Sequence, residues 1–220
     1  MLKAILFDLD GTLANTDPIH FQVWQTLLAP YGHSVDQTFY DRHISGRLNP
    51  DIVRDLIPQL SVDEGKIFSA DKEAKFRELA ANQLQRMPGL TDFLHHLEKQ
   101  RYAKALVTNA PRSNAEFMLK TLALDDVFQP VIIADDLPKG KPDPLPYQTA
   151  LEQLDLNPEA ALVFEDSPTG VRAAVAAGIP TIGVTSTHSD AKLCGLGALF
   201  TIADFTDSRL LPYVAEEVLA

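Results

Sequence analysis

Two aspartates, Asp8 and Asp10, follow an apolar run near the start of the chain and are followed by Gly11. A continuous apolar run of this kind predicts a strand buried on both faces of a parallel sheet. In such sheets, ligands bind beyond the carboxyl ends of the strands. Two carboxylates there are costly to remove from water without a cation. An N-cap and a turn aspartate would account for only one of them, so we expect both in a cation-binding site.

Three further groups of polar residues follow later apolar runs. Thr108 and Asn109 end one run and offer a hydroxyl and an amide to a phosphate oxygen, although this pair also suits a simple turn. Lys141 lies in a loop of glycine and prolines, and Glu165 and Asp166 form a second acidic pair. Carboxylates with a lysine and a hydroxyl suit a hard divalent cation together with a phosphoryl group. The residues themselves therefore predict metal-assisted phosphoryl transfer.

These residues need a sheet to bring them together, and the chain has six short apolar runs separated by helical or polar stretches. This alternation predicts an α/β fold with a doubly wound parallel sheet, similar to a Rossmann fold. The predicted strands are Leu2–Phe7, Lys104–Thr108, Val131–Ala134, Ala161–Phe164, Thr181–Val184 and Ala198–Ile202.

The stretch between the first two predicted strands is far longer than one crossover helix requires. We interpret residues 16–87 as an inserted all-helical cap domain, with residues 1–15 and 88–220 forming the catalytic core. Helical spacing in the insert predicts four helices. They are Pro18–Ala29, Gln37–His43, Pro50–Ile57 and Val62–Met87.

Composition narrows the class of ligand. The formal net charge of −11 opposes binding to nucleic acid or to anionic membrane surfaces, so a small molecule is the expected partner. A single cysteine, Cys194, cannot form an internal disulfide, and the sequence shows no leader and no long apolar segment. We expect a cytoplasmic protein that is a monomer or a weak dimer.

The polar groups also carry a family resemblance. In order, Asp8-Leu9-Asp10-Gly11-Thr12-Leu13, Thr108-Asn109, Lys141-Pro142 and Glu165-Asp166 resemble the four motifs of the haloacid-dehalogenase-like hydrolase superfamily. The position of the helical insert and the phrase Glu165-Asp-Ser-Pro-Thr-Gly170 resemble one subgroup. It comprises phosphoglycolate phosphatases, sugar phosphatases and β-phosphoglucomutase.

The resemblance implies a magnesium-dependent phosphatase acting on a small phosphorylated metabolite. Asp8 would attack phosphorus and become an aspartyl phosphate. Asp10 would protonate the leaving oxygen and then activate water. A halide-removing enzyme is not expected, because in such relatives the position of Asp10 is not aspartate.

The same resemblance implies roles for the remaining motif residues. Asp8, the backbone carbonyl of Asp10, and Asp166 would hold Mg²⁺, with Glu165 as a further ligand or as an acceptor beside the ligands. The transferring phosphoryl group would be held by Thr108 and Lys141, with Asn109 beside them.

The cap is expected to choose the substrate. His20 on the first cap helix and the loop of Ser45, Gly46 and Arg47 are the candidate specificity residues. In the mutases of the subgroup, a lysine precedes the loop glycine and an arginine follows three residues later, but here these positions hold Ser45 and Asn49. This favours simple hydrolysis of phosphoglycolate or a sugar phosphate over a β-phosphoglucomutase-type reaction, which remains the alternative. A binding or regulatory protein on the same fold is the third possibility.

Overall fold

The structure is a computed structural model that describes residues 1–219 and divides into two compact units. The larger, which we call the core, holds Met1–Asn15 and the described residues from Gln85 onward. The smaller, which we call the cap, holds Thr16–Leu84.

A six-stranded parallel sheet is the centre of the core, in the order β3-β2-β1-β4-β5-β6. The strands are β1 Ala4–Phe7, β2 Ala103–Thr108, β3 Val131–Ile133, β4 Ala161–Glu165, β5 Thr181–Val184 and β6 Thr201–Ile202. The first strand lies between the second and the fourth, with Phe7 paired to Leu106 and to Phe164. The prediction of a doubly wound α/β fold is confirmed.

Helices cover both faces of this sheet because successive side chains of each strand point to opposite sides. The core helices are α5 Leu90–Lys99, α6 Arg112–Thr121, α7 Leu145–Leu154, α8 Pro168–Ala176, α9 Asp190–Cys194 and α10 Leu210–Leu219. On one face, Leu6 belongs to an apolar cluster that includes Ala150 of α7 and Ala173 of α8. On the other face, Phe7 stacks on Phe164 with ring centroids 5.4 Å apart. Both faces of the sheet are therefore covered by apolar packing close to the strand ends that carry the polar residues.

The cap contains four α-helices, α1 Asp17–Leu28, α2 Gln37–His43, α3 Asn49–Leu56 and α4 Val62–Ala80. Throughout Thr16–Leu84, which the structure describes completely, no strand is present. Trp24 and Leu28 are buried in the cap's own apolar cluster, against which Phe21 packs. The cap thus has a hydrophobic core of its own.

Two expected boundaries differ from the structure. The last cap helix ends at Ala80 rather than continuing to Met87. The second unit boundary falls after Leu84, because the following residues are tied to the core. The Met87 amide donates to the Leu13 carbonyl at 2.8 Å, and the Arg86 side chain donates to the Leu122 carbonyl at 2.8 Å.

Among the described residues, none of the helices is both long enough and apolar enough to cross a membrane.

Candidate active site

Parallel pairing brings the predicted site residues of the core to one edge of the sheet. Asp8 follows β1, Thr108 ends β2 and Glu165 ends β4, and these three strands are neighbours. The Asp8 amide donates to the Phe164 carbonyl at 3.0 Å, which extends the ladder up to the first carboxylate. Asp8, Thr108 and Glu165 are all buried.

Lys141 connects these strand ends through its ammonium group. Its Nζ donates to Asp8 Oδ1 at 2.7 Å, to Glu165 Oε1 at 2.6 Å and to the Val107 carbonyl at 2.7 Å. Since an ammonium has three protons, all three are matched by acceptors in this arrangement. The side chain of Lys141 is only 2% exposed, so its charge is held by the two carboxylates rather than by water.

Asn109 fixes the backbone of the Lys141 loop. Its Oδ1 accepts from the Lys141 amide at 2.9 Å, and its Nδ2 donates to the Lys141 carbonyl at 2.9 Å. Thr108 Oγ1 accepts from the Ala110 amide at 2.9 Å. The side chain of Asn109 therefore positions Lys141, and contact of Thr108 or Asn109 with a phosphoryl group stays a prediction.

Glu165 is fully enclosed by donors of the core. Besides Lys141, the hydroxyl of Tyr147 donates to Glu165 Oε1 at 2.8 Å. The amide and hydroxyl of Ser167 lie 3.4 and 3.2 Å from Oε2. Ser167 is also the N-cap of α8, where its Oγ accepts from the Gly170 amide at 3.0 Å. One serine therefore begins the helix and contacts the buried carboxylate.

Asp166 is held from the loop that follows β5. Thr187 Oγ1 donates to Asp166 Oδ2 at 2.5 Å. From the same loop, Ser186 Oγ donates to the Gly11 carbonyl at 2.5 Å. Gly11 has φ +75°, and a Cβ there would lie 2.1 Å from Asp166 Oδ2. A glycine is needed at this turn because its backbone approaches the Asp166 carboxylate closely.

The carboxylates carry more negative charge than the single lysine balances. Burial raises the pKa of Asp8 to about 8; the Lys141 ammonium opposes this, and the charges of Glu165 and Asp10 add to it. Burial, followed by the charges of Asp8 and Glu165, raises the pKa of Asp166 well above its ordinary value. Burial disfavours the charged form of Lys141, but the carboxylates of Asp8 and Glu165 outweigh it and raise the pKa of the ammonium.

This cluster has the composition of a cation site. One carboxylate oxygen from each of Asp8, Glu165 and Asp166 lies within 4.8 Å of the others. Oxygen donors of this kind suit hard divalent cations, whose charge would offset the burial and the repulsion that raise the pKa of Asp8 and Asp166. The residues present therefore fit a metal ion. Asp10 lies two residues beyond Asp8, and its charge contributes to the raised pKa of both Asp8 and Asp166.

The candidate specificity residues lie within the cap. The ring of His20 stacks on Phe76 with centroids 4.1 Å apart, and its Nδ1 lies 2.9 Å from Lys72 Nζ. Arg47 is bound inside the cap: its guanidinium pairs with Asp55 and donates to the His43 carbonyl at 2.9 Å.

The loop before α3 turns at Gly46, which has φ +72° and lies between Ser45 and Arg47. Beyond this loop, Asn49 Nδ2 donates to Glu73 Oε1 at 2.5 Å, and the same oxygen accepts from Lys72 Nζ at 2.9 Å. Substrate contact by His20, Ser45, Gly46 or Arg47 stays a prediction.

Sequence reasoning missed three hydroxyls that hold the site. Ser186 and Thr187 lie in the hydroxyl-rich run Thr185–Ser189 after β5, which is also typical of an ordinary surface loop. Tyr147 was missed because it sits on an apolar helix face, where a tyrosine is normally interpreted as core. The one available signal was its place six residues beyond Lys141, near the start of α7, where the helix begins close to the lysine loop.

A model of the haloacid dehalogenase-like hydrolase family matches residues 5–184, which include all four motifs. The chain belongs to this family. The resemblance seen in the motifs is thereby confirmed, and the fold described above is that of a haloacid dehalogenase-like hydrolase. The chain is accordingly a hydrolase.

Individual relatives match over nearly the whole chain. It is 35% identical over 212 residues to validoxylamine A 7'-phosphate phosphatase of Streptomyces hygroscopicus subsp. limoneus, covering 95% of this chain and 97% of that protein. It is 32% identical to the phosphorylated carbohydrates phosphatase of Thermotoga maritima, covering 87% and 89%. A family IA hydrolase structure from Entamoeba histolytica superposes with a TM-score of 0.86 at 24% identity, covering 94% and 95%, which supports the fold.

Proposed function

We propose that this protein is a Mg²⁺-dependent phosphatase that hydrolyses a small phosphomonoester, a sugar phosphate or phosphoglycolate, through an aspartyl phosphate on Asp8. The observation that carries the proposal is the buried contact of Lys141 Nζ with both Asp8 and Glu165 beside Asp166. A lysine among carboxylates supplies positive charge to an anionic phosphoryl group, and Asp8 supplies a nucleophile. Of the two relatives described above, one is named validoxylamine A 7'-phosphate phosphatase and the other phosphorylated carbohydrates phosphatase.

The proposed chemistry uses two carboxyl groups in two steps. A carboxylate oxygen of Asp8 attacks phosphorus, the bond from phosphorus to the ester oxygen breaks, and Asp10 gives its proton to that oxygen. Asp10 then accepts a proton from water as the water attacks the phosphoryl group. The bond from phosphorus to the Asp8 carboxylate oxygen breaks, so that inorganic phosphate is released and the free Asp8 carboxylate is restored.

The surrounding residues hold these groups in place. Lys141 balances the charge of Asp8, while Asn109 fixes the Lys141 backbone. Asp8, Asp166 and the carbonyl of Asp10 would hold the Mg²⁺, with Glu165 beside them. The ion would supply Lewis-acid stabilisation of the phosphoryl oxygens.

The cap favours hydrolysis over the mutase alternative. A mutase must retain and reorient a bisphosphate, which calls for cations that bind its second phosphate. In the cap, Ser45 and Asn49 carry no charge, Arg47 is paired with Asp55, and Lys72 is paired with Glu73. We propose that His20 and the loop of Ser45, Gly46 and Arg47 select a leaving group without a second phosphate.

The test is phosphate release from a panel of phosphomonoesters, namely phosphoglycolate, hexose phosphates, pentose phosphates and nucleotides, with Mg²⁺ and with chelator. We expect release only with Mg²⁺ and a loss of at least about 10³-fold in kcat for Asp8→Asn, because the nucleophile is gone. Acid-quenched wild-type protein should carry one added phosphoryl group, and Asp8→Asn should carry none.

A matched control is Asp155→Asn, which makes the same chemical change at an exposed position with φ +54°, a conformation that asparagine tolerates. It should keep wild-type activity. Release that is unchanged in Asp8→Asn would refute the mechanism. Conversion of β-glucose 1-phosphate in the presence of its bisphosphate, with no release from any ester, would establish the mutase instead.

A further inference from the structure

Tyr147 is a buried tyrosine whose ring lies in the core and whose hydroxyl reaches the candidate active site. It lies in the first turn of α7 and has no exposed surface. Its ring belongs to the apolar cluster that contains Leu6 and Val163. The Lys141 ammonium lies 5.0 Å from the ring centroid, and the hydroxyl donates to Glu165 at 2.8 Å. Tyr147 thus contacts both members of the Lys141–Glu165 ion pair.

The two oxygens of Glu165 have different surroundings. Oε1 accepts from Lys141 Nζ at 2.6 Å and from the Tyr147 hydroxyl at 2.8 Å. Within the part of the chain that the structure describes, Oε2 accepts only from the hydroxyl and amide of Ser167, at the long distances of 3.2 and 3.4 Å. The orientation of the carboxylate is therefore set mainly at Oε1. Because Glu165 is completely buried, water cannot replace a lost donor.

We propose that Tyr147 is a positioning residue whose hydroxyl holds the Glu165 carboxylate within the cation-binding cluster and so sets the affinity of the site for Mg²⁺. This inference rests on the proposed function, which requires the cation. A donated hydrogen bond fixes the direction in which a carboxylate presents its remaining lone pairs to a metal ion. Outer partners that hydrogen-bond metal-site residues typically affect metal affinity or activity by about 10- to 100-fold.

The tyrosine hydroxyl is suited to this role because it is a directional donor. The ring is packed in the apolar cluster, and the hydroxyl oxygen at its end lies 2.8 Å from Glu165 Oε1. The packed ring therefore directs the donated hydrogen bond to one oxygen of Glu165. A purely structural role would need only the ring, since the ring alone fills the space among the apolar side chains.

The test compares Tyr147→Phe with Tyr102→Phe. Tyr102 is the matched control because it is also a buried tyrosine of the core, and its hydroxyl donates to the Val214 carbonyl at 3.1 Å. Titration calorimetry with MgCl₂ on the full chain, without substrate, should show the Kd for Mg²⁺ rising at least about 10-fold in Tyr147→Phe. Tyr102→Phe should stay within about twofold of wild type, since its partner is not a carboxylate.

A second readout separates positioning from packing. The urea midpoints of both variants, measured without Mg²⁺, should fall, and that of Tyr147→Phe should fall further because its hydroxyl serves a buried charge. The Mg²⁺ concentration for half-maximal activity should rise only in Tyr147→Phe, and kcat at saturating Mg²⁺ should return to within about threefold of wild type.

The outcomes distinguish the two proposals. A Kd for Mg²⁺ within twofold of wild type in Tyr147→Phe, with wild-type binding and hydrolysis intact, overturns the role of Tyr147 alone. An equal loss of affinity in Tyr102→Phe also overturns it, because the effect would then come from core packing. Wild-type protein that neither binds Mg²⁺ nor releases phosphate overturns the proposed function itself.

Discussion

At the scale of single residues, Gly170 shows how little space the buried Glu165 leaves. Gly170 lies in the first turn of α8, three residues after the N-cap Ser167. A Cβ at this position would lie 1.8 Å from Glu165 Oε1 and 2.0 Å from Oε2. Such a contact cannot be relieved by a small rotation, because Glu165 is fully buried and held by Lys141 and Tyr147. Glycine is required here by the neighbouring carboxylate rather than by its backbone angles.

We therefore predict that Gly170→Ala destabilises the protein by about 1–3 kcal/mol, as overpacking does in a close-packed interior. This sign is opposite to the usual one, since alanine inside a helix is normally favoured over glycine by about 1 kcal/mol. Urea unfolding followed by far-UV circular dichroism measures the change. A stabilised Gly170→Ala variant would contradict the close approach of Glu165.

The control for Gly170→Ala is Gly65→Ala in α4. There the added Cβ would meet only Val53 Cγ1, at 3.3 Å, which is a contact with the end of a side chain. Helix propensity should then dominate, with an effect between zero and about 1 kcal/mol of stabilisation.

The same scale shows which site residues a sequence reveals. Asp8, Lys141 and Asp166 were predicted because each follows a strand or lies in a short loop beyond one, and parallel strands bring such positions together. Tyr147 and Thr187 were not predicted, because their hydroxyls reach the carboxylates through contacts between distant segments. The local sequence pattern does not show which distant segments come into contact. A tyrosine on an apolar helix face or a threonine in a turn is also common without any role in a site.

At the scale of elements, the predicted start of a helix was more accurate where a side chain at the N-cap accepts a hydrogen bond from the first turn. Ser61 begins α4 with a complete capping box: its Oγ accepts from the Glu64 amide, and the Glu64 carboxylate accepts from the Ser61 amide at 2.8 Å. The end of α4 was wrongly placed because residues 81–87 contain no proline or glycine. The helix stops at Ala80 although helical spacing continues beyond it.

We predict that Ser61→Ala lowers the stability of the cap by about 1 kcal/mol, since one end of α4 then loses its hydrogen-bond acceptor. Trp24 is the only tryptophan of the chain and lies in the apolar cluster of the cap. Its fluorescence during urea unfolding therefore reports on the unit that contains the change.

Ser69→Ala provides the comparison within α4. The Ser69 hydroxyl donates to the Gly65 carbonyl at 2.9 Å in mid-helix, where such bonds contribute little and alanine is the better helix former. It should leave the midpoint within about 0.5 kcal/mol of wild type. Equal losses for Ser61→Ala and Ser69→Ala would mean that the capping box does not stabilise the helix.

At the scale of the whole molecule, the alternation of strands and helices was sufficient to predict the architecture. Buried parallel strands give continuous apolar runs, which are easy to recognise, and all six were found. The predicted extent of the edge strand β6 was the least accurate, because β6 spans only Thr201–Ile202 and so short a strand has little sequence pattern. The extent of the insert was also approximate, since Arg86 and Met87 join the core through hydrogen bonds with distant residues.

The net charge of −11 and the buried carboxylates of the core suggest how cation binding should affect stability. Without a cation, burial and mutual repulsion raise the pKa of Asp8 and Asp166, which means that their charged forms are unfavourable in the folded core. We predict that Asp166→Asn is at least as stable as wild type without Mg²⁺, because it removes one of these charges.

With Mg²⁺ the order should reverse. A ligand that binds only the folded core stabilises it by about 2.7 kcal/mol at a concentration 100 times its Kd. For a unit of this size, that corresponds to a rise of about 5–10 °C in the Tm of wild type. Asp166→Asn should show little change, because it has lost one of the carboxylates that hold the ion.

The measurement is thermal unfolding followed by far-UV circular dichroism, since Trp24 fluorescence would report on the cap instead. NaCl at matched ionic strength corrects for general screening of the acidic surface. A wild-type Tm that rises equally in MgCl₂ and NaCl, or equally in wild type and Asp166→Asn, would show that the effect is screening and not binding. A rise confined to wild type in MgCl₂ would locate the cation at the strand-end carboxylates, because the two proteins differ only in whether residue 166 carries a carboxylate or a neutral amide.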